Sequence, residues 1–324
     1  MKLLVTGVAG FIGMHACRRL VADGHEVTGI DDLNAYYDPA LKHSRLEQLQ
    51  GLPRFRFERA DIAHREAMEA LFAEGGFEAV VHLAAQAGVR YSLDAPFAYA
   101  DSNLRGMLCV LEGCRRQAVK HLVYASSSSV YGRNTKVPFS ETDAVDHPSS
   151  LYAATKRADE LMAEAYSHLY RIPATGLRFF TVYGPWGRPD MAYFLFTQAI
   201  LAGQPIKVFN EGRMQRDFTY IDDAVEGIVR VLALPPQGAE GASPHRVLNL
   251  GNSRPQPLDT FIALLEKHLG RTAQRELLPM QPGDVESTFA DMSAMRALTG
   301  FHPATALDEG LGRFVAWYRQ HYNV

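Results

Sequence analysis

The chain has 324 residues, of which 47% are hydrophobic and 21% charged, enough for one large domain or two domains with a substantial core. Its formal net charge of −3 and the lack of an uninterrupted apolar run of about 18 residues predict neither a nucleic-acid nor a membrane partner. Three cysteines without C-x-x-C spacing indicate reduced thiols and a cytoplasmic location. No two of the twelve histidines are three or four residues apart, so we expect no metal site.

The first residues contain the pattern of a dinucleotide-binding unit. A buried strand is predicted at Lys2–Thr6, a helix at Met14–Asp23 and a second strand at Glu26–Ile30. The turn between the first strand and the helix has the spacing G-x-x-G-x-x-G, formed by Gly7, Gly10 and Gly13. Such glycines permit a tight turn, the close approach of a pyrophosphate to backbone and close packing of helix on strand. The helix N-terminus then faces the phosphate charge.

Asp31 follows the second strand directly and indicates which cofactor is bound. A carboxylate at this place accepts hydrogen bonds from the adenosine ribose hydroxyls and repels a 2′-phosphate. No arginine or lysine follows before Lys42, so no clamp for such a phosphate is visible. We therefore predict NAD rather than NADP. The alternative is that Asp31 only terminates the strand.

Helices and strands continue to alternate up to about residue 180. Further helices are predicted at Pro39–Leu49, Arg65–Ala73 and Pro96–Gln117, and further strands at Arg54–Glu58, Ala79–Ala85, His121–Ala125 and Ala174–Phe180. This order predicts an α/β fold with a doubly wound parallel (Rossmann) sheet, whose ligands lie beyond the C-terminal ends of the strands. The serine run Ser126–Ser129 falls at that edge, although four serines are also typical of a plain polar loop.

Tyr152 and Lys156 are four residues apart, in a segment rich in helix-forming residues that Ser149 or Ser150 can cap. On a helix the two side chains lie on one face, one turn apart. A lysine ammonium at about 4 Å lowers the pKa of a tyrosine from its ordinary value of about 10 toward neutrality, which makes the phenol a base. The alternative is an ordinary helix with a half-buried tyrosine and a solvated lysine.

The second part of the chain has shorter elements and loops rich in Gly and Pro. The loop Thr181–Asp190 carries aromatic residues and Arg188, a composition typical of ligand-binding loops. Arg213 and Arg216 suit a diphosphate, although an exposed hairpin with solvated charges fits equally well. We predict an NAD-binding domain at residues 1–180 and a smaller substrate domain at 181–324, with parts around 220–252 returning to pack on the first. Its helices are predicted at Phe194–Leu201, Asp222–Leu234, Leu258–Leu269, Ser293–Leu298 and Leu307–Tyr322, and a strand at Val247–Asn252.

Together these motifs resemble the extended short-chain dehydrogenase/reductase family over nearly the whole chain. The matching marks are the glycine turn, the serine run, Tyr152-x-x-x-Lys156, Asp61 and Asn103. Within that family the chain is similar to the nucleotide-sugar 4-epimerases, and most of all to those that act on UDP-glucuronate. The segments that carry this similarity are Tyr124–Gly132, Arg178–Ala192 and Arg216–Asp223.

The resemblance implies a reaction and a set of contacts. Tyr152 takes a proton from the sugar 4-hydroxyl while hydride passes to tightly bound NAD, and a transient 4-keto sugar turns and is reduced on its other face. The implied catalytic residues are Tyr152, Lys156 and Ser127. The implied cofactor contacts are Gly7, Gly10, Phe11, Ile12, Gly13, Asp31, Asp32, Asn34, Asp61, Ile62, Leu83, Ala84, Ala85, Asn103, Tyr152, Lys156 and Phe180. The implied UDP-sugar contacts are Ser127, Ser128, Ser129, Tyr152, Thr181, Arg188, Val208, Arg213, Arg216 and Asp284.

Differences from related enzymes narrow the choice of substrate. Dehydratase and decarboxylase relatives carry an acid just before Val-Tyr-Gly, where this chain has Ser128 and Ser129. UDP-galactose epimerases have Asn at the place of Thr181 and a basic residue near Gln281. UDP-glucuronate and UDP-galacturonate are therefore the expected pair, with Arg188 as anchor for the carboxylate, and relatives lead us to expect a homodimer. The alternatives are a UDP-hexose or UDP-N-acetylhexosamine 4-epimerase, a decarboxylase, or a non-catalytic NAD-binding regulator.

Overall fold

A computed structural model describes residues 1–238, 241–280 and 287–324, and the chain divides into two units. The first unit contains Met1–Asn134, Ala144–Phe179 and Val225–Leu248, and the second contains Thr135–Asp143, Phe180–Ala224 and Asn249–Val324. The sequence places residues 135–143 in the first domain. They belong to the second unit, because the backbone of Phe139 exchanges hydrogen bonds with Phe289 and Asp291.

The first unit is built on a seven-stranded sheet with the order β10-β6-β5-β4-β1-β2-β3. Every pair of neighbours from β3 to β6 is parallel, which confirms the predicted doubly wound sheet. The strand order reverses between β1 and β4, the position where such sheets bind ligands. The strands are β1 (Lys2–Thr6), β2 (Glu26–Asp31), β3 (Phe55–Arg59), β4 (Ala79–His82), β5 (His121–Ser127), β6 (Ala174–Phe179) and β10 (His245–Leu250).

Helices cover both faces of this sheet, as the crossover connections of a parallel sheet require. Apolar side chains from β1, β4 and β5 form one core with those of α3 and α6, including Leu4, Val80, Leu122, Phe72 and Leu111. Each such side chain contributes about 1.5–3 kcal/mol when it leaves water. The helices are α1 (Phe11–Ala22), α2 (Pro39–Glu47), α3 (Arg65–Gly75), α4 (Tyr91–Asp94), α5 (Pro96–Tyr99), α6 (Gly106–Gln117), α7 (Leu151–Tyr170) and α9 (Ile221–Leu232).

The long helix predicted at Pro96–Gln117 is interrupted by a π-helical turn at Ala100–Arg105, between α5 and α6. Such turns are frequent at functional sites. Asn103 lies within it and is buried, and Gly106 follows with its Cα against Ile62. A Cβ at Gly106 would lie 2.6 Å from a side-chain carbon of Ile62, so a larger residue there would force the Ile62 side chain to move. This local packing was not visible in the periodicity of the sequence.

The second unit has smaller sheets. Strand β9 (Gln215–Tyr220) pairs in parallel with β7 (Thr181–Tyr183) and β13 (Ser287–Thr288), and antiparallel with β11 (Pro255–Pro257). Asp217 on β9 is fully buried and accepts backbone hydrogen bonds from Asn252, Ser253 and Ala290, which ties the loops around it together. The remaining elements are β8 (Ile206–Phe209), β12 (Arg275–Leu278), α8 (Ala192–Leu201), α10 (Leu258–Leu269), α11 (Ser293–Thr299) and α12 (Leu307–Tyr322).

Among the helices in residues 1–238, 241–280 and 287–324, none has the length and apolar character needed to cross a bilayer. Within those ranges there is also no cluster of three or more His, Cys, Asp or Glu side chains arranged to hold a metal ion.

Candidate active site

The ends of four strands lie at one edge of the sheet in the first unit. β1 ends at Thr6, β2 at Asp31, β4 at His82 and β5 at Ser127. Because neighbouring strands are parallel, these C-terminal ends line the same edge. Most of the cofactor and catalytic residues predicted in this unit lie on these ends, on the segments that follow them, or on α7; Asp61 and Ile62 follow β3, and Asn103 lies on the π-helical turn.

The glycine turn after β1 leaves bare backbone at the start of α1. Gly7 has a φ of 76°, and a Cβ there would lie 2.8 Å from the Ala84 nitrogen. A Cβ at Gly13 would lie 2.0 Å from the Gly7 carbonyl oxygen. The N–H groups of Phe11, Ile12 and Gly13 belong to the first turn of the helix, which supplies them no acceptor. This arrangement fits the pyrophosphate of a dinucleotide.

Asp31 is buried beside this turn, and both of its oxygens are oriented by backbone. Oδ2 accepts from Ala9 N at 3.1 Å and Oδ1 from Leu33 N at 2.9 Å. Helix α2 brings Lys42 back to it, with Nζ 4.0 Å from Asp31 Oδ1 and 3.0 Å from Asn34 Oδ1. Burial raises the pKa of Asp31 while the charge of Lys42 opposes the rise. Lys42, the first cation after Asp31 in the chain, is thus close to it in space, which the local sequence did not indicate.

Thr6 organises the end of β4. Its Oγ1 accepts from the backbone N–H groups of Leu83 and Ala84 at 3.1 and 3.0 Å and lies 2.8 Å from His82 Nδ1. These bonds turn the chain, so the strand predicted to reach Ala85 ends at His82. Burial and the nearby positive charge of Lys156 lower the pKa of His82 to about 3, which keeps this imidazole neutral.

Tyr152 lies in the first turn of α7. Ser150 caps the helix, with its Oγ accepting from Ala153 N at 3.1 Å, as the sequence predicted. A helix N-terminus favours negative charge on a group in its first turn by about 0.3–1 kcal/mol. The ring of Tyr152 packs edge-on against Tyr99 at 6.0 Å, and the Tyr99 hydroxyl donates to the carbonyls of residues 87 and 88. The phenol is therefore held in place by its ring.

Lys156 lies one turn further along the same helix and is buried. Its Nζ donates to the Ala125 carbonyl at 3.0 Å and to Asp159 Oδ2 at 3.1 Å. The side chains of Lys156 and Asp159 are only 3% and 1% exposed. Burial raises the pKa of Asp159 to about 6, although the charge of Lys156 opposes the rise. The alternative reading of a solvated lysine is therefore wrong.

Asn103 connects the π-helical turn to the same site. Its Nδ2 donates to the Gln86 carbonyl at 3.1 Å and to Thr155 Oγ1 at 3.0 Å, and its Oδ1 accepts from Gln86 N at 2.8 Å. Thr155 precedes Lys156 on α7. The amide thus holds α7 against the loop that follows β4, which is a positioning role.

The serine run divides into two functions. Ser126 is buried and its Oγ donates to Glu160 Oε1 at 2.6 Å. Side chains alternate along a strand, so Ser127 points to the opposite face. Its Oγ accepts from Ser129 N at 3.1 Å and contacts Ser129 Oγ at 3.1 Å. Ser127, Ser128 and Ser129 stay candidates for substrate contacts.

In the second unit, Arg188 is bound to Asp190. Its Nε lies 3.0 Å from Oδ1 and its Nη2 lies 2.5 Å from Oδ2, a bidentate ion pair with both side chains about one quarter to one third exposed. The Arg188 backbone N–H also donates to the Tyr193 hydroxyl at 3.0 Å. In this geometry the donors that would grip a carboxylate of a substrate face Asp190, so the anchoring role of Arg188 stays a prediction.

The other predicted contacts vary in exposure. Thr181 is half-buried at the start of β7, Val208 is buried on β8 and Phe180 is buried. Arg213 is exposed and paired with Glu211 at 3.1 Å, which agrees with the alternative of solvated hairpin charges. Arg216 is half-buried on β9 and its Nη1 donates to the Gln215 carbonyl.

In the first unit, Asp61 accepts from Ala63 N, and Asp32 and Asn34 contact each other. Asp284 lies outside the described residues.

A model of the NAD dependent epimerase/dehydratase family matches residues 3–251 of the chain. The chain belongs to this family. It is 49% identical over 334 residues to a probable UDP-glucuronate 4-epimerase of Rhizobium meliloti, and the match covers 99% of this chain and 98% of the relative.

Two solved structures of this family have the same architecture. One is the UDP-glucuronic acid 4-epimerase from Bacillus cereus in complex with UDP-glucuronic acid and NAD, with a TM-score of 0.90 at 34% identity, covering 99% of this chain and 100% of that one. The other is a UDP-glucose 4-epimerase from Thermotoga maritima with UDP-glucose, with a TM-score of 0.88 at 31% identity and the same coverage. The fold alone therefore does not separate the two sugars.

Three residues that contact the candidate site were not predicted from the sequence. They are Lys42 beside Asp31, His82 beside Thr6 and Asp159 beside Lys156. Lys42 and His82 carried no local signal, because their neighbours come from other elements. Asp159 did carry one, since a residue three positions after Lys156 on a helix shares its face. Asp159 was nevertheless not among the residues predicted for the site.

Proposed function

We propose that the protein interconverts UDP-glucuronate and UDP-galacturonate by NAD-dependent epimerisation at C4. The observation that carries the proposal is Tyr152 in the first turn of α7, followed one turn later by a buried, ion-paired Lys156. This pair occurs in a chain that is similar over its full length to a probable UDP-glucuronate 4-epimerase. A non-catalytic regulator would not need a buried lysine charge beside a phenol.

The glycine turn and Asp31 fit NAD. Gly7, Gly10 and Gly13 leave no room for side chains, and the start of α1 offers bare N–H groups to the pyrophosphate. Asp31 has acceptor capacity left for ribose hydroxyls, since a carboxylate offers about four lone-pair sites. When bound, NAD supplies the hydride acceptor and donor for C4 of the sugar.

The chain's own residues handle the proton. Tyr152 as phenolate takes the proton of the sugar 4-hydroxyl and returns it after the sugar has turned. The Ser127 hydroxyl hydrogen-bonds the 4-oxygen and relays the proton. Lys156 favours the phenolate through its charge and binds the nicotinamide ribose. Arg188, Thr181, Ser128 and Ser129 bind the uronate carboxylate and keep it from the alignment in which a β-keto acid loses carbon dioxide.

The test is the product formed from UDP-glucuronate by the purified protein. We expect UDP-galacturonate, separated by chromatography and identical in mass to the substrate. Ser128 and Ser129 stand where decarboxylating relatives have an acid, so no product lighter by one carbon dioxide should dominate. A dominant decarboxylated sugar would make the protein a decarboxylase. Faster turnover of UDP-glucose or UDP-N-acetylglucosamine in a substrate panel would favour the alternative, a hexose epimerase.

We expect the protein to purify with NAD bound, because a cofactor regenerated in every turnover gains nothing from release. Asp31→Ser removes the acceptor for the ribose hydroxyls and leaves Lys42 without its carboxylate. It should weaken NAD about tenfold to a hundredfold, the worth of a hydrogen bond to a charged group, and improve relative affinity for NADP. Assay of the nucleotide released by denaturation shows which cofactor is bound. Titration of each variant with NAD and with NADP measures the two affinities. Bound NADP and no NAD in the wild type would contradict the expectation.

We also propose that two copies associate through α6 and α7. Along α7 the apolar Leu151, Leu161 and Leu169 are exposed. Helix α6 exposes Leu108, and α5 before it exposes Phe97, at 82%. Helix α6 packs beside α7 in the first unit, and contiguous exposed apolar side chains are typical of a protein–protein interface. Light scattering should give twice the monomer mass, and Leu161→Glu should reduce it to the monomer mass.

A cytoplasmic location is proposed from the three unpaired cysteines and is tested by cell fractionation.

A further inference from the structure

Asp159 contacts Lys156 but belongs to none of the motifs that define the site. It lies three residues after Lys156 on α7, with Oδ2 3.1 Å from Lys156 Nζ. Both side chains are almost completely buried, so water and salt screen their charges very little. The other contact of Nζ is the Ala125 carbonyl at 3.0 Å, which cannot balance a charge. Asp159 is therefore the counter-ion of the lysine.

The neighbouring Glu160 shows a different kind of ion pair. Both of its oxygens are occupied, and its donors are Ser126, Arg157 and Arg178. Although burial raises its pKa, the hydrogen bonds and charge of Arg178 lower it overall. Its ionised form therefore adds stability above the ordinary titration range of a glutamate, and that stability is lost as pH falls.

Asp159 behaves in the opposite way. Its Oδ1 is buried and has no hydrogen-bond partner in the described part of the chain. Burial raises its pKa to about 6 in spite of Lys156. Stability from this group is present below its ordinary pKa of about 3.9 and is lost as pH rises through about 6. At neutral pH the ionised carboxylate of Asp159 therefore lowers the stability of the fold. A contribution to stability thus does not explain why an aspartate is buried at this position.

We propose that Asp159 is a positioning residue whose carboxylate keeps Lys156 protonated and fixes Nζ against Ala125, and so sets the pH range in which Tyr152 works as a base. The inference rests on the proposed epimerase function, because Tyr152 and Lys156 take their roles from it. Asp159 itself touches neither substrate nor cofactor in this scheme, and it acts through the lysine alone.

Asp159 is the group near Lys156 that can balance its charge, as the neighbouring residues show. The titratable groups that act on the charges of the pair are His82 on β4, Tyr124 on β5 and Glu160 on α7 itself. His82 stays neutral because its pKa is about 3, and burial raises the pKa of Tyr124 well above its usual range. Glu160 is engaged by Arg178. Within the described residues, the carboxylate bonded to Lys156 is that of Asp159.

Asp159→Asn keeps the shape and one acceptor oxygen but removes the charge. Buried lysines without a counter-ion lose their proton several units below the ordinary value, down to about 5–6 in extreme cases. We therefore expect a new alkaline limb, with kcat/KM of the variant at about pH 8.5 at least tenfold below its own value at about pH 6.5. The wild type should show no such fall. A loss by the same factor at every pH would indicate a structural role and overturn the proposal.

Two further variants identify the group behind that limb. Arginine does not lose its proton in this range, so Lys156→Arg combined with Asp159→Asn should lack the limb. A limb that persists in the double variant belongs to another group and overturns the proposal. The matched control is Glu160→Gln, which removes the adjacent buried charge of the same helix. It should lower Tm and should lower kcat/KM by the same factor at every pH, without a new alkaline limb.

A readout without substrate separates this proposal from the function it rests on. Ultraviolet difference spectra between each protein and its Tyr152→Phe derivative report the pH at which Tyr152 ionises. We expect Asp159→Asn to raise that pH, because a neutral Lys156 no longer favours the phenolate, and Asp159→Glu to keep it near the wild-type value. An unchanged or lowered pH overturns the proposal, since Lys156 would then stay charged without Asp159.

The outcomes for the two proposals are distinguishable. If the pH of ionisation rises but UDP-glucuronate is not converted even by the wild type, the role of Asp159 stands and the proposed reaction is wrong. Asp159→Ser is a second neutral variant in case Asp159→Asn does not fold. If both neutral variants fail to fold while Asp159→Glu folds, the charge serves the fold, and the proposal is overturned.

Discussion

Tyr152→Phe should lower kcat at least a hundredfold, the lower end of what a general acid–base group contributes. The substitution removes the hydroxyl that accepts and returns the proton, but it leaves the ring. Ring packing against Tyr99 at 6.0 Å therefore remains, and so do the capped start of α7 and the contacts of Lys156. We expect unchanged Tm and unchanged bound NAD, so that the loss lies in chemistry alone. Steady-state rates on UDP-glucuronate measure kcat, thermal unfolding measures Tm, and assay of the released nucleotide measures bound NAD.

The matched control for this variant is Tyr166→Phe on the same helix. The Tyr166 hydroxyl donates to Glu112 Oε1 at 2.8 Å, away from the strand ends that form the site. Its loss should cost one hydrogen bond, about 1 kcal/mol of stability, and leave kcat within about twofold. If Tyr152→Phe instead turned over at a near-normal rate, the proton would leave by another route, and Ser127 would be the first residue to test.

Arg188→Ala should lower kcat/KM for UDP-glucuronate about tenfold to a hundredfold, since a hydrogen bond to a charged group contributes about 1.5–3 kcal/mol. A guanidinium grips a carboxylate through two parallel hydrogen bonds, which lysine cannot copy. The loss for UDP-glucose, which has no carboxylate, should be much smaller. Without this grip the β-keto acid intermediate should also release some carbon dioxide. Rates on both sugars and mass spectrometry of the products measure these effects.

Asp190 provides the control, because it holds Arg188 in a bidentate pair in the absence of substrate. Asp190→Asn removes the competing carboxylate but keeps the loop polar. If Arg188 turns from Asp190 to the uronate, this variant should keep or increase the preference for UDP-glucuronate. Equal losses on both sugars in Arg188→Ala and Asp190→Asn would instead assign the pair to the stability of the loop. Uronate selectivity would then have to come from Thr181 and the serines.

Local patterns in the sequence were sufficient for the architecture of the first unit. The alternation of apolar strands and helices predicted the doubly wound sheet, and the glycine spacing predicted the turn between β1 and α1. The capped helix with Tyr152 and Lys156 was predicted for the same reason. Periodicity, capping and turn chemistry depend on residues a few positions apart, so they can be read along the chain. Because parallel strands end at one edge, the position of the site followed from topology alone.

Partners that are distant in the chain were decided only by the tertiary structure. Helix α2 returns Lys42 to Asp31, and the pairing of β1 with β4 places His82 beside Thr6. The same packing buries Lys156 with Asp159 and directs Ser126, unlike Ser127, to Glu160. Protonation states follow from burial and from neighbouring charges, both of which depend on elements far apart in sequence. The sequence by itself therefore determined the fold of the first unit and the placement of Tyr152 and Lys156 one turn apart on α7, whereas the charges that surround these two residues were set by tertiary packing.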